Sequence, residues 1–459
     1  MASADRMTIY APATAAGKAA ISVVRVSGPR AGDALDALSG RRRPAARRAT
    51  RLRLRDDSSG ELLDDALVLW FPGPESATGE DVAEFHLHGG RAVLAAVLAA
   101  LGRVPGLRLA QAGEFTRRAF DAGKLDLTEV EGLADLIAAD TEAQRRQALR
   151  QLSGELGRLT EGWRTRLIAA LAQAEAEIDF PDESDVPQGL IGSLRPALAS
   201  VAAEIRAHLA DQRGERLREG LSIAIIGPPN AGKSSLLNCL AQRDAAIVAA
   251  TAGTTRDVIE VQLDLNGYPV TLADTAGLRD LSADSPDAHQ EIEREGIRRA
   301  LLRALSADLK ILVVDACERS VDPAVARLAD ENTIVVANKI DLVTASLPVV
   351  GGIAPHPVST KTSIGVNALL ATLEREVADR LGAASAAAPI ITRARHREAL
   401  ADCVGSLDRA LAGAATGAVA AELITEDLRL AVRSLGRITG RVGVEDILDV
   451  VFREFCIGK

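Results

Sequence analysis

The stretch LSIAIIGPPNAGKSSLLNCLA, Leu221 to Ala241, constrains this chain more than any other. An apolar run rich in β-branched residues stops at Gly227. A short loop follows with Asn230, Ala231, Gly232, Lys233 and Ser234, and a helical apolar pattern opens at Ser235. A strand feeding a glycine-bearing loop and then a helix aims successive backbone N–H groups, and the positive end of the helix, at one point, which suits phosphate oxygens. The spacing G-x-x-x-x-G-K-S is that of a P-loop: Lys233 reaches the β- and γ-phosphates and the Ser234 hydroxyl ligates Mg²⁺.

Two further motifs follow in order, each at the end of an apolar run. DTAG, Asp274, Thr275, Ala276 and Gly277, closes VTLADTAG; its carboxylate can hold a Mg²⁺ water shell and the Gly277 N–H can meet a γ-phosphate. NKID, Asn338, Lys339, Ile340 and Asp341, closes TIVVAN. The Asp341 carboxylate can accept hydrogen bonds from guanine N1–H and the N2 amino group, and adenine offers neither donor, so a carboxylate facing adenine stays unpaired. VSTK, with Ser359, Thr360 and Lys361, comes one strand later and suits a loop closing over the base. Together these positions predict a GTP hydrolase. AATAGTTRD, with Ala249, Ala250, Thr251, Ala252, Gly253, Thr254 and Thr255, is the switch candidate between them, and Thr255 is a second Mg²⁺ ligand. The glutamine that orients water in Ras-like enzymes is replaced by Leu278, so another group places the water, and an arginine finger or a monovalent cation offsets transition-state charge. Asn230 fits two roles: its oxygen facing such a cation, or a hydrogen bond that stabilises the loop.

The rest of the chain divides by pattern. With 459 residues, about three domains are expected. Apolar residues are 47% but aromatics only 2%, so the cores rest on Leu, Val, Ile and Ala. Residues 1–122 read as mixed α/β; 123–217 read as helical, with long uninterrupted helices between Leu127 and Phe180; 218–381 alternate short strands with helices, the pattern of a doubly wound parallel sheet; 382–459 are helical again. One helical domain interrupted by an inserted α/β domain accounts for that order.

A net charge of −9 excludes a uniformly basic nucleic-acid coat. The stretch from Arg41 to Arg55, RRRPAARRATRLRLR, is either a solvated loop running into an exposed strand or a phosphate-contacting patch. Four scattered cysteines, Cys239, Cys317, Cys403 and Cys456, fit free thiols in a reducing compartment. The first residues lack an apolar signal core and no apolar run reaches membrane-spanning length, so a cytoplasmic protein with no membrane association is expected. His86 and His88 sit on one strand face without a third ligand nearby.

GPPNAGKSSLLN, AATAGTTRD, DTAGLR, NKID and the final FCIGK resemble the MnmE (TrmE) family of tRNA-modification GTPases, as do WFPGPESATGEDVAEFHLHGG and AGEFTRRAFDAGKLDLTEVEGLADLI. The resemblance runs from Thr8 to Lys459. It implies an N-terminal folate-binding α/β domain followed by a helical domain interrupted by a Ras-like G domain. It implies K⁺ held by Asn230 and Thr254 with backbone from Ala249 and Thr251, and a homodimer formed through the G domains. It implies a water-organising carboxylate at Glu293, with Glu291 the competitor. It further implies a tetrahydrofolate derivative bound by Arg25, Glu84, Lys124 and Lys459. The activity implied is installation of a carboxymethylaminomethyl-type group on C5 of the tRNA wobble uridine. The implied partner is a flavoprotein of the MnmG (GidA) family, which carries FAD and joins this chain in a hetero-oligomer. Cys456 is either a small apolar residue under the last helix or a thiol that acts in the chemistry. An RNA-associated GTPase of the ribosome-assembly kind is the alternative, but such a chain would end in an RNA-binding fold in place of CIGK.

Overall fold

The computed structural model describes residues 7–40, 43–179, 190–242, 260–274, 307–318, 321, 323–344, 347, 349–382, 390–416, 419–442, 448, 451–452, 455 and 458. The chain falls into two compact units. Met1–Ala134, Arg150–Ala202 and Ala399–Lys459 make the first; Asp135–Leu149 and Ala203–Glu398 make the second.

In the first unit, β1 (Thr8–Pro12), β2 (Ile21–Ser27), β3 (Thr50–Arg55), β4 (Leu62–Phe71), β5 (Val82–His88) and β6 (Leu107–Leu109) form one sheet in the order β3-β4-β5-β2-β1-β6. Only the β1–β6 pair is parallel. Alternation along each strand decides its two faces. Val24 and Val26 of β2 and Phe85 and Leu87 of β5 are buried under α1 (Ala31–Ser39) and α2 (Arg91–Arg103), while Arg25, Glu84 and His86 stay half-buried on the other face.

The helices α3 (Glu114–Asp121), α4 (Leu127–Ala138), α5 (Glu142–Leu152) and α6 (Glu155–Asp179) follow, and α7 (Leu190–Leu209) and α8 (Arg213–Glu219) come after them in the chain. The continuous helical pattern predicted between Leu127 and Phe180 is therefore three helices. One break is a reciprocal cap, in which the Thr141 N–H donates to Gln144 Oε1 (3.1 Å) and the Gln144 N–H to Thr141 Oγ1 (3.4 Å). The other falls at Gly154, where φ is +78°. Along α6, Leu156, Thr160, Trp163, Leu167, Ala170 and Ala174 recur at helical spacing and are buried. The helix Ala421–Ile438 runs antiparallel to α6, since Arg429 meets Glu175 (2.8 Å) and Arg441 meets Glu161 (3.5 Å). Phe452 and Phe455, close to the end of the chain, pack with Leu127 and Val130 of α4.

In the second unit, β7 (Leu221–Ile226), β8 (Glu260–Leu265), β9 (Tyr268–Asp274), β10 (Leu309–Asp315), β11 (Thr333–Asn338) and β12 (His356–Pro357) form a sheet in the order β12-β11-β10-β7-β9-β8. All its pairs are parallel except β8–β9. Leu221, Ile223 and Ile225 face a core shared with α9 (Lys233–Ala241) and the helix Val366–Leu381. Ala224 and Ile226 face a second core on the other side. A strand buried on both faces explains why LSIAII reads as an unbroken apolar run. Among the described residues, no helix is long and apolar enough to cross a membrane.

Candidate functional site

Four strands of the second unit end at one edge of its sheet. The register sets Ile226 beside Leu312, Asp274 beside Ile225 and Asp315 beside Asn338. Strand order reverses on either side of β7, with β9 to one side and β10 to the other, and a crevice at such a point is where open α/β sheets take ligands. The residues grouped from sequence at Asn230 to Ser235, at Asp274 and at Asn338 to Asp341 therefore reach one rim.

The loop after β7 passes so close to β10 that a Cβ on Gly227 would collide with the Val313 carbonyl, and its φ is +144°. No other residue satisfies both conditions. Asn230 (φ +63°) and Gly232 (φ +95°) turn the chain back so that α9 starts at Lys233. Lys233 is buried, and its Nζ donates to the Gly227 (2.9 Å) and Pro228 (2.8 Å) carbonyls across the loop. An ammonium held over a ring of backbone amides at a helix N-terminus matches a phosphate in charge and size.

Asn338 fixes that loop to its neighbours. It is 1% exposed, its Nδ2 donates to the Ala231 carbonyl (2.9 Å), and its Oδ1 accepts from the Thr360 N–H (3.2 Å). One buried amide thus ties the phosphate loop to the VSTK loop. Asp341 is exposed in a short 3₁₀ turn, Ile340–Leu342, and its Oδ1 accepts from the Ser359 hydroxyl (2.6 Å), which aims the carboxylate. Lys339 has φ +67° and pairs with Asp315 (2.7 Å), which holds the ammonium pKa above its usual value. Burial alone would raise the Asp315 carboxyl; bonds from Lys339 and the Cys317 N–H outweigh it and lower it. Sequence reasoning missed Asp315, which belongs to no motif and gains its role from lying beside Asn338 across two strands. Lys361 is exposed near the same loop. Ala249 to Thr255, Thr275 to Gly277, Glu291 and Glu293 lie outside the described residues.

The first unit carries a second cluster. Arg25 and Glu84 stand opposite each other across β2 and β5, with Arg25 Nη2 2.9 Å from Glu84 Oε1. His86 Nε2 lies 3.4 Å from Glu84 Oε2, and the Arg25 guanidinium sits 5.9 Å from the centre of the Phe115 ring. The pair offers donors and a carboxylate side by side on a sheet face. Lys124 is exposed, and its Cε would be 3.7 Å from a Cβ on Gly79. Gly458 (φ +103°) lies against Pro12, where any Cβ would overlap the carbonyl, so Gly458 sits at the end of β1, next to β2. Cys456 and Lys459 lie outside the described residues.

Beneath that face is a network that no motif announced. Arg118 of α3, only 5% exposed, donates to Glu80 (2.8 Å), to Glu114 (3.1 Å), and to the Met7 (2.9 Å) and Ser27 (3.4 Å) carbonyls. Ser27 Oγ reaches Thr78 (2.7 Å) and Glu80 (3.0 Å), so the loop before β5 is pinned to β2. Burial pushes the Glu114 carboxyl up, but Arg108, the Gln111 N–H and Arg118 together hold it below its ordinary range. The one available signal was Glu114 and Arg118 at i,i+4 on a short helix.

The basic stretch resolves toward the solvated reading. Arg51 pairs with Asp65 (2.6 Å), Arg43 with Asp33 (3.1 Å) and Asp36 (3.0 Å), and Arg55 donates to the Gly60 carbonyl (2.8 Å). His88 pairs with Asp64 (2.7 Å), and among the described residues no group of three or more His, Cys, Asp or Glu is placed to hold a metal ion.

Comparison with known proteins places this chain among relatives along its length. A family model described as GTP-binding protein TrmE N-terminus matches residues 8–124, and one described as MnmE helical domain matches residues 127–456. The chain is 59% identical over 457 residues to the tRNA modification GTPase MnmE of Parvibaculum lavamentivorans, covering 98% of this chain and 100% of that protein. It is 56% identical over 455 residues to the protein of the same name from Paramagnetospirillum magneticum, covering 98% and 99%. With that of Rhodospirillum rubrum it shares 53% over 468 residues, again covering 98% and 99%.

Proposed function

This chain belongs to the MnmE (TrmE) family, and we propose that it is a GTP hydrolase that acts in tRNA modification. The observation that carries the reading is the Asn338 amide, which ties the loop of Lys233 to the loop of Ser359. Phosphate and base recognition are thereby held at a set distance. Lys233 and the loop amides take the phosphates, and Asp341, aimed by Ser359, takes the guanine edge. Putting adenine in place of guanine leaves that carboxylate without donors at a cost of about 1–3 kcal/mol.

The loop fits a metal-bound nucleotide, because buried Lys233 holds its ammonium across the loop on the Gly227 and Pro228 carbonyls at the start of α9, with Ser234 next to it. Ser234 and Thr255 would hold Mg²⁺, which when bound neutralises phosphate charge. Asn230, exposed with positive φ, would hold K⁺ with Thr254 and the backbone of Ala249 and Thr251. Glu293, or Glu291 in its place, orients the attacking water. These assignments rest on the resemblance of the motifs.

For the first unit, the reading is a tetrahydrofolate derivative held by Arg25, Glu84, Lys124 and Lys459. The chemistry present fits: Arg25 suits an anionic tail, Glu84 a donor-rich ring, and Gly458 brings the end of the chain to β1. The folate supplies a one-carbon unit. With the FAD-carrying MnmG (GidA) partner and a homodimer of this chain, that unit becomes part of a carboxymethylaminomethyl-type group on the wobble uridine. Cys456 belongs to the same end of the chain and is the candidate thiol. Residues 1–122, 123–217, 218–381 and 382–459 are the proposed domains.

Mass spectrometry of wobble uridines from cells lacking this chain tests the reading. Loss of the C5 modification supports it, and an unchanged uridine profile with a defect in ribosome assembly would favour the alternative. Hydrolysis measured in K⁺ and in Na⁺ tests the cation: equal rates leave Asn230 as a loop-stabilising residue.

A further inference from the structure

The lysine of NKID is held in a conformation that a lysine rarely adopts. Lys339 follows β11 with φ +67°, a left-handed geometry that persists in residues with a Cβ only where neighbours impose it. Backbone bonds fix the chain around it. The Ala316 N–H donates to the Asn338 carbonyl (2.8 Å), the Ile340 N–H to the Val358 carbonyl (3.3 Å) and the Leu342 N–H to the Lys339 carbonyl (3.0 Å). The far end of the side chain is fixed as well, with Nζ 2.7 Å from Asp315 Oδ2.

Asp315 owes its place to the sheet. β10 and β11 are parallel neighbours, and their register sets the last residue of β10, Asp315, beside the last residue of β11, Asn338. Lys339 is the next residue along. Asp315 Oδ1 accepts from the Cys317 N–H (2.9 Å), and Oδ2 is left for the ammonium. The Asp315 side chain is 16% exposed and that of Lys339 34%, so the pair is sheltered and salt screens it less than it screens a surface pair.

The pairing matters because a second carboxylate lies close by. Asp341 sits in the 3₁₀ turn that follows Lys339, and it is exposed. Desolvation and then Asp315 push the Cys317 thiol up, and the charges of Lys339 and Asp341 act on the same thiol with opposite sign. The ammonium and the guanine-reading carboxylate therefore share one neighbourhood, and opposite charges that close attract. An ammonium released from Asp315 pairs with Asp341. Guanine then has to displace it before the carboxylate can accept from N1–H and the N2 amino group.

We infer that Asp315 is a positioning residue for base recognition: it draws Lys339 away from Asp341 and keeps that carboxylate free for guanine. It acts through Lys339 and leaves the phosphate loop at Lys233 as it is. The inference rests on the proposed function and deepens it, because a residue outside the NKID motif now takes part in the choice of base.

The test uses the full chain. GDP affinity is measured by calorimetry, alongside GTP turnover, for wild type, Asp315→Asn, Asp315→Glu, Lys339→Met and the double variant Asp315→Asn/Lys339→Met. Asparagine keeps the shape of the side chain and an acceptor for the Cys317 N–H, and loses the charge. The expected result is GDP bound about ten-fold more weakly by Asp315→Asn, with KM for GTP raised in proportion and kcat within about two-fold of wild type. Asp315→Glu should recover to within about three-fold of wild type. In the Lys339→Met background no ammonium is left to capture Asp341, so Asp315→Asn should weaken GDP by less than about two-fold. Wild-type GDP affinity in Asp315→Asn overturns the inference. So does an equal loss in both backgrounds, or a fall in kcat in place of the rise in KM, either of which makes Asp315 structural and independent of Lys339. A wild-type chain that binds neither GDP nor GTP sinks the proposed function instead, which is a different result from any of these.

Discussion

The two units hold their candidate sites by opposite means. In the second, the work falls to backbone: Gly227, Asn230 and Gly232 bend one loop, and a few side chains from adjacent strand ends fix it. In the first, side chains remote in sequence meet on a sheet. Arg25 and Glu84 are 59 residues apart, and Arg118 reaches a carbonyl 91 residues away. A site made from contiguous backbone leaves a motif and tolerates no change of shape. A site made from dispersed side chains leaves no single contiguous motif and depends on the network around it.

The sharpest way to break that contrast is Gly227→Val. A Cβ there collides with the Val313 carbonyl, so GTP binding should fall by more than about 1,000-fold, read by titration of a fluorescent analogue, while the first unit stays folded. Binding near the wild-type level would show that the loop is not backbone-limited. Next comes Arg118→Met, which strands Glu80 without its cation, leaves Glu114 only Arg108, and should destabilise the first unit by about 2–4 kcal/mol in denaturant unfolding. GTP turnover should remain. Asp341→Asn removes one side chain from the backbone-built site and should weaken GTP about 100-fold, with xanthosine triphosphate now preferred; unchanged discrimination between the two nucleotides contradicts the role given to Asp341. Arg25→Gln should weaken binding of a tetrahydrofolate derivative about ten-fold by calorimetry with no effect on GTP hydrolysis. Smallest is Arg51→Ala. Arg51 is 80% exposed in its pair with Asp65, so neither unfolding nor turnover should change measurably, in contrast to buried Arg118 in the same unit.

Much of the second unit was legible because β7, β10 and β11 are buried on both faces and so read as continuous apolar runs ending at polar motifs. The sheet of the first unit was less so. Its strands alternate, and nothing in AISVVRVSG or GEDVAEF alone says that Arg25 and Glu84 share a register position. The breaks at Thr141 and Gly154 were also missed, because helical periodicity continues across a cap and only the Thr141–Gln144 pair marks it. The Arg41 to Arg55 stretch could not be decided from charge alone, since Asp33, Asp36 and Asp65 reach it only after folding.

The order of residues alone determined the strand–loop–helix at Lys233, the place of Asp341 at the end of an apolar strand and the alternation of helical and α/β regions. Each depends on neighbours within a few positions, where propensity, glycine geometry and polarity act directly. The tertiary structure decided the rest: the Asn338 bridge, the Arg118 network and the seat of Gly458 on Pro12. Those contacts close loops of tens to hundreds of residues. What brings their ends together is burial of the cores between them, which no local pattern encodes.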